Sequence, residues 1–176
     1  MSDTVSIHEA RGPLEIAAFG GLISEYTAWC RERYKHDTWL VDMAFSHQGL
    51  DAELLNLERL YGPPNGRMLI AEDSHDILGG VAFKRVDAGT CEMKRMFVRT
   101  IASGRGLGRR LCQALLDTAA RDGYTTMRLD TTRDMVEAIS LYRSFGFVDC
   151  APFVEYPERM RPMVLFMQRP VGLPAH

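Results

Sequence analysis

"ASGRGLGRRL", residues 102–111, sets three glycines at alternate positions, Gly104, Gly106 and Gly108, just before what reads as a helix. Glycine weakens a helix interior but reaches positive φ without steric cost, so one reading is a tight turn. The other is a ligand brought close to the backbone at a helix N-terminus, whose free N–H groups attract anions. The segments on either side decide between them.

Downstream, Leu107, Leu111, Ala114, Leu115, Thr118 and Ala119 recur at i, i+4, i+7, i+8, i+11 and i+12, one face of a helix, and Gly123 stands where a C′ glycine should. "TTMRLDT" (125–131) then reads as a strand. Upstream, "RMLIAE" (67–72), "ILGGVAFKRV" (77–86) and "CEMKRMFVR" (91–99) are apolar runs separated by polar turns, which predicts a three-strand meander. Strand, helix, strand around the glycines is a βαβ unit, so the third of these strands and the 125–131 strand should lie parallel.

Further out, "VSIHEA" (5–10) alternates weakly as a first strand, and helical spacing covers about 17–34 and 51–61, the latter stopped by Gly62-Pro63-Pro64. The stretch 35–50, "KHDTWLVDMAFSHQGL", shows no clear period. Asp134 reads as an N-cap, with Glu137 completing a capping-box pattern, for a helix carrying Ala138, Leu141, Tyr142 and Phe145 on its apolar face. "FVDCA" and "PMVLFMQ" supply the last strands, separated by the loop "PFVEYPERMR" (152–161). The expected fold is a single α/β (α+β) domain over residues 1–176. Its sheet is mixed and mostly antiparallel, of about six to seven strands with one parallel crossover and helices on both faces.

Composition supports that class. Of 176 residues, 46% are hydrophobic and 25% charged, and the net charge of -2 gives no electrostatic case for a nucleic-acid partner. No apolar run approaches the roughly 18 residues that span a bilayer. The N-terminal residues are polar, so a soluble cytoplasmic protein without a membrane partner is expected, and a homodimer is compatible with it. Cys30, Cys91, Cys112 and Cys150 stand far apart, and the five histidines show no ligand spacing, so no metal site is expected.

The phosphate-loop pattern GxxxxGK[ST] fails at Gly108-Arg109-Arg110, and the dinucleotide pattern GxGxxG meets Arg109 at its sixth position. A glycine-rich turn without a ligand stays open. The reading that fits best is a nest of successive N–H groups for a pyrophosphate, reinforced by the helix dipole and by Arg105, Arg109 and Arg110.

Taken together, "EMKRMFV" (92–98), a short turn, "SGRGLGRRL" (103–111), a helix, a strand and "AISLYRSFGF" (138–147) resemble the GNAT superfamily of N-acetyltransferases. The likeness covers about residues 67–168. Gly106 and Gly108 match the last two positions of the family's signature loop. Ser103 stands where the family has Gln or Arg, and Met135 stands where many members carry Asn.

The resemblance implies acetyl-CoA as cofactor, bound by the loop Ser103, Gly104, Arg105, Gly106, Leu107, Gly108 and Arg109. Its pantetheine arm would lie where two parallel strands splay apart, against backbone groups of Met96, Phe97 and Val98. An N–H near Met96 would face the thioester oxygen. It further implies Glu92 as catalytic base, direct or through water, and Tyr142 as the acid that protonates the thiolate. Glu92 has a structural alternative as the partner of Lys94 on the same strand face, and Tyr142 as a core tyrosine. Arg99, beside the loop, is either a phosphate partner or a solvated residue. Trp39, Glu53, Tyr61, Phe153, Tyr156 and Arg159 are candidates to line the acceptor site. The function expected is N-acetyl transfer to a primary amine of a small molecule or peptide. The alternative is a non-catalytic acyl-CoA-binding module.

Overall fold

The computed structural model describes residues 4–47 and 49–172; the ends of the expected 1–176 domain lie outside the described residues. Seven strands form one sheet: β1 (Ser6–Glu9), β2 (Gly66–Glu72), β3 (Ile77–Arg85), β4 (Thr90–Val98), β5 (Thr126–Thr132), β6 (Val148–Asp149) and β7 (Val164–Pro170). Their order across the sheet is β1-β2-β3-β4-β5-β7-β6. β4 and β5 run parallel and the other neighbours antiparallel, as the βαβ reading requires.

The period of two along each strand sorts side chains between two helical layers. Leu69, Ala71, Val81, Phe83, Cys91, Met93, Met127 and Leu129 face α5 (Leu107–Arg121) and α6 (Val136–Ser144), where Leu111, Leu115 and Phe145 complete one core. Met68, Ile70 and Ala82 turn the other way, onto Phe19 and Ile23 of α1 (Gly12–Arg33) and Leu57 and Tyr61 of α4 (Leu57–Tyr61). Burying each large side chain of these clusters stabilises the fold by roughly 1.5–3 kcal/mol before chain entropy is set against it. Gly80 lets α1 lie close: a Cβ there would come within 3.0 Å of Phe19, Leu22 and the Leu69 carbonyl oxygen.

Four elements depart from the sequence reading. α1 starts at Gly12 rather than near residue 17, with Pro13 in its first turn, where a missing N–H costs nothing. The unassigned 35–50 stretch contains α2 (Thr38–His47). It is wedged between two apolar clusters, Leu40 facing one and Val41 and Phe45 the other, so no single stripe marks it. The 51–61 helix is two pieces, α3 (Leu50–Leu54) and α4, broken where Asn56 leaves helical geometry (φ -133°, ψ 28°). Leu55, beside the break, is 86% exposed. The capping box is absent: α6 is capped by Met135 with no side-chain bond. Asp134 instead offers its carbonyl, and Glu137 its carboxylate, to Arg33 of α1.

One topological detail makes the site. β4 and β5 are paired only over Thr90–Thr126, Cys91–Met127 and Glu92–Arg128. Beyond Glu92 the two strands part.

Candidate active site

Where β4 and β5 part, a cavity of about 480 Å³ opens between them. Residues 93–98 of β4 and 129–132 of β5 form its long walls, and Ser103 and Gly108 close one end. Aromatic side chains of α1 and α2 cover it. Tyr26 stacks with Trp29, meets Phe45 edge-on and tilts against Phe97, with centroids 5.5–6.2 Å away. Burial pushes the Cys30 thiol, also in this wall, up to about 11.

The glycine loop meets the cavity at the start of α5. Gly104 and Gly106 have φ of 77° and 72°, a region that side-chain-bearing residues avoid. A Cβ at either would touch nothing within 4 Å, so these glycines serve conformation, and the space above them stays open. α5 has no side-chain cap and no acid in its first turn. Its first intrahelical bond runs from Arg110 N to Gly106 O at 3.1 Å, leaving the preceding N–H groups available to an anion. A pyrophosphate fits that set of donors.

The arginines divide. Arg109 bonds Ser144 Oγ at 2.8 Å and lies over the Phe145 ring, and Arg110 donates to the Val5 carbonyl at 2.7 Å. Arg99 grips Glu25 with both Nε and Nη2. Arg105, exposed, has no hydrogen-bond or ion-pair partner among the described residues. Leu107 is buried in the core, so it can offer a ligand only its backbone.

Tyr142 lines the cavity from α6, 7% exposed, its ring edge-on to Phe147. Its hydroxyl has no hydrogen-bond partner among the described residues. Burial, with the neighbouring Cys112 and Asp130, raises its pKa well above that of a free phenol, so the proton is held at neutral pH.

Glu92 is elsewhere. It lines a second cavity of about 440 Å³, shared with Glu53, Tyr61 and Lys84, while the first cavity is lined without it. Its carboxylate, 2% exposed, accepts from Lys94 Nζ at 2.9 Å and from Arg128 at 3.0 Å. Glu92 and Tyr142 therefore do not share a chamber; Lys94, which lines both, stands between. Two carboxylates do share Tyr142's chamber: Glu137, paired with Arg33 at 3.2 Å, and Asp130. Asp130 accepts from Lys94 at 2.9 Å and, in a short bond, from the Tyr156 hydroxyl. Burial works against both charges of this pair. Mutual attraction outweighs it, so Asp130 is pulled below its ordinary pKa and Lys94 raised above its own.

Of the expected cofactor residues, Met96, Phe97, Val98, Ser103 and Gly108 line the first cavity, and Gly104, Arg105, Gly106, Leu107 and Arg109 form the loop at its mouth. Of the acceptor candidates, Tyr156 lines both cavities and Glu53 and Tyr61 only the second. Trp39 and Phe153 instead lie beneath the guanidinium groups of Arg159 and Arg128. Asp130 escaped the sequence reading. The signal was there: Met127 and Leu129 claim one face of β5, so Arg128 and Asp130 are charges on the opposite face of a central strand. Among the described residues, no group of three His, Cys, Asp or Glu is arranged to hold a metal ion, and no helix is long and apolar enough to cross a membrane.

A sheet parted beside a glycine-rich helix start fits the family resemblance drawn from the sequence, and comparison with known proteins agrees. Residues 31–147 match the model of the acetyltransferase (GNAT) family. The chain is 36% identical over 166 residues, 93% of each protein, to an uncharacterized N-acetyltransferase of Schizosaccharomyces pombe. It is 38% identical over 120 residues to the IAA acetyltransferase of Azospirillum brasilense, covering 67% of this chain and 76% of that one. An acetyltransferase structure from Streptococcus agalactiae superposes with a TM-score of 0.73 at 18% identity, over 95% of this chain and 98% of the other. The PaiA N-acetyltransferase of Thermoplasma acidophilum, in complex with coenzyme A, gives 0.68 at 14% identity, over 95% and 99%. The chain belongs to the GNAT family. It is an acyltransferase, and its family uses acetyl-CoA.

Proposed function

We propose that this protein acetylates a primary amine of a small molecule or peptide. The observation that carries the reading is the continuous cavity from Gly108 and Ser103 to Tyr142 and Asp130, between strands that stop pairing at Glu92. Acetyl-CoA, when bound, supplies an activated acetyl thioester. The N–H groups at the start of α5 would hold its pyrophosphate, and backbone groups of Met96, Phe97 and Val98, facing a gap where β5 has withdrawn, would hydrogen-bond its arm. Tyr142 Oη holds a proton ready for the departing thiolate, with no internal acceptor competing for it.

On the acceptor side, Asp130 and the Tyr156 hydroxyl form the polar end of the chamber, where a cationic amine would meet a carboxylate and release its proton to solvent before its lone pair attacks the thioester. Glu92 acts at one remove, by fixing Lys94 and Arg128 around that end. Thiol release from acetyl-CoA, followed with a panel of small amines and peptide N-termini, tests the reading. Tight coenzyme A binding with no thiol release for any amine would leave the acyl-CoA-binding module as the better account.

A further inference from the structure

Arg95 has φ 58° and is the one non-glycine residue with positive φ among the described residues. It falls where the β3–β4 register slips. Gly80 pairs with Phe97 and Ala82 with Lys94, so Val81 alone spans Arg95 and Met96. One extra residue on one strand is a β-bulge, and a left-handed position there is ordinarily glycine. A side chain at such a position shifts the population away from that conformation by about tenfold or more.

What opposes that shift is a grip on the side chain. Arg95 Nε and Nη2 each bond Glu53 at 2.7 Å, with 5% and 8% of the two side chains exposed. Tyr61 donates its hydroxyl to the same carboxylate at 2.9 Å, and the Phe45 ring lies 5.5 Å from the guanidinium. Two parallel N–H···O bonds fix orientation as well as distance. Both Glu53 oxygens are thereby engaged by the protein itself.

We propose that Glu53 is a positioning residue: by clamping the Arg95 side chain it holds the bulge left-handed and keeps the Met96 backbone against the cavity. The inference rests on the reading of Met96, Phe97 and Val98 as the backbone that receives the cofactor arm, and adds what holds them there. Residue 53 lies in α3, so the clamp ties the segment between α2 and β2 to the parted edge of β4.

Deleting Glu53 alone would also strand a buried charge, so the test compares two double variants that remove both charges. Glu53→Ala with Arg95→Ala leaves a Cβ at the bulge, whereas Glu53→Ala with Arg95→Gly supplies a residue indifferent to the sign of φ. The kcat of the glycine variant should exceed that of the alanine variant by about tenfold or more. Coenzyme A affinity should follow the same order, because its arm would lie along the Met96, Phe97 and Val98 backbone that the bulge sets. The Met96 and Phe97 amide resonances should match wild type in the glycine variant and move in the alanine variant, whether or not any amine is acetylated. Equal kcat in the two variants, or amide shifts displaced alike, overturns the clamp. Matching shifts with a wild type that releases no thiol would sink the acetylation reading and leave the clamp standing.

Discussion

Lys94 Nζ lies 2.9 Å from Asp130 Oδ1, joining β4 to β5 two residues past the point where their backbones stop pairing. Side chains thus take over from the hydrogen-bond ladder at the base of the cavity. Because Asp130 is held below its ordinary pKa, its contribution to stability is present above about pH 4, the unfolded value, and is lost as pH falls through the lower folded value. Asp130→Asn should therefore melt lower than wild type at pH 7, with the gap narrowing below about pH 4. Melting curves across that range check it; a gap independent of pH would mean that the charge contributes nothing.

Tyr142→Phe keeps the ring against Phe147 and removes a hydroxyl that bonds nothing within the described residues. Turnover should drop by about 10²–10⁴-fold, the usual weight of a general acid. Coenzyme A affinity and melting temperature should barely move. Full activity in the variant would return Tyr142 to a packing role.

Gly106→Val places a branched side chain at φ 72°. Strain of about 1–2 kcal/mol is expected in the loop whatever the space around it, together with loss of coenzyme A affinity. Gly123→Val is the matched control, since Gly123 also has positive φ (85°) with nothing within 4 Å of a Cβ but lies at the other end of α5. Calorimetry showing equal affinity in the two variants would detach the loop conformation from phosphate binding.

Arg105 differs from its neighbours in having no hydrogen-bond or ion-pair partner among the described residues, whereas Arg109 and Arg110 are already engaged. Coenzyme A should bind more tightly than its form lacking the 3′-phosphate. Arg105→Ala should erase most of that preference, about tenfold for one charge-assisted contact. A preference that survives there but vanishes in Arg109→Ala would reassign the contact.

Most of the scaffold was legible because its signals are local. The α5 stripe, the C′ glycine Gly123 at positive φ, and the alternating strands each follow from a short window of chain. What failed depends on tertiary surroundings. α2 is apolar on two sides because two clusters meet there, and Glu137 serves Arg33 across a helix interface rather than its own N-terminus. At the site, sequence pattern singles out the glycine loop and Tyr142, which the fold brings to one cavity. That Asp130 lines this cavity and Glu92 the other was not visible, because it turns on which side of Lys94 each carboxylate lies.

The brief β4–β5 seam has a mechanical consequence. Four strands on one side and three on the other are joined by three residue pairs and the apolar layer beneath α5. They are two plates joined at one end, and past the Lys94–Asp130 bridge no backbone ladder ties β4 to β5. A molecule lying along the gap and bonding to both lips would splice the plates into one continuous sheet. At about a hundred times its Kd it would stiffen the protein by roughly 2.7 kcal/mol. Amide exchange in β5 would slow most toward Thr132, the end farthest from the seam.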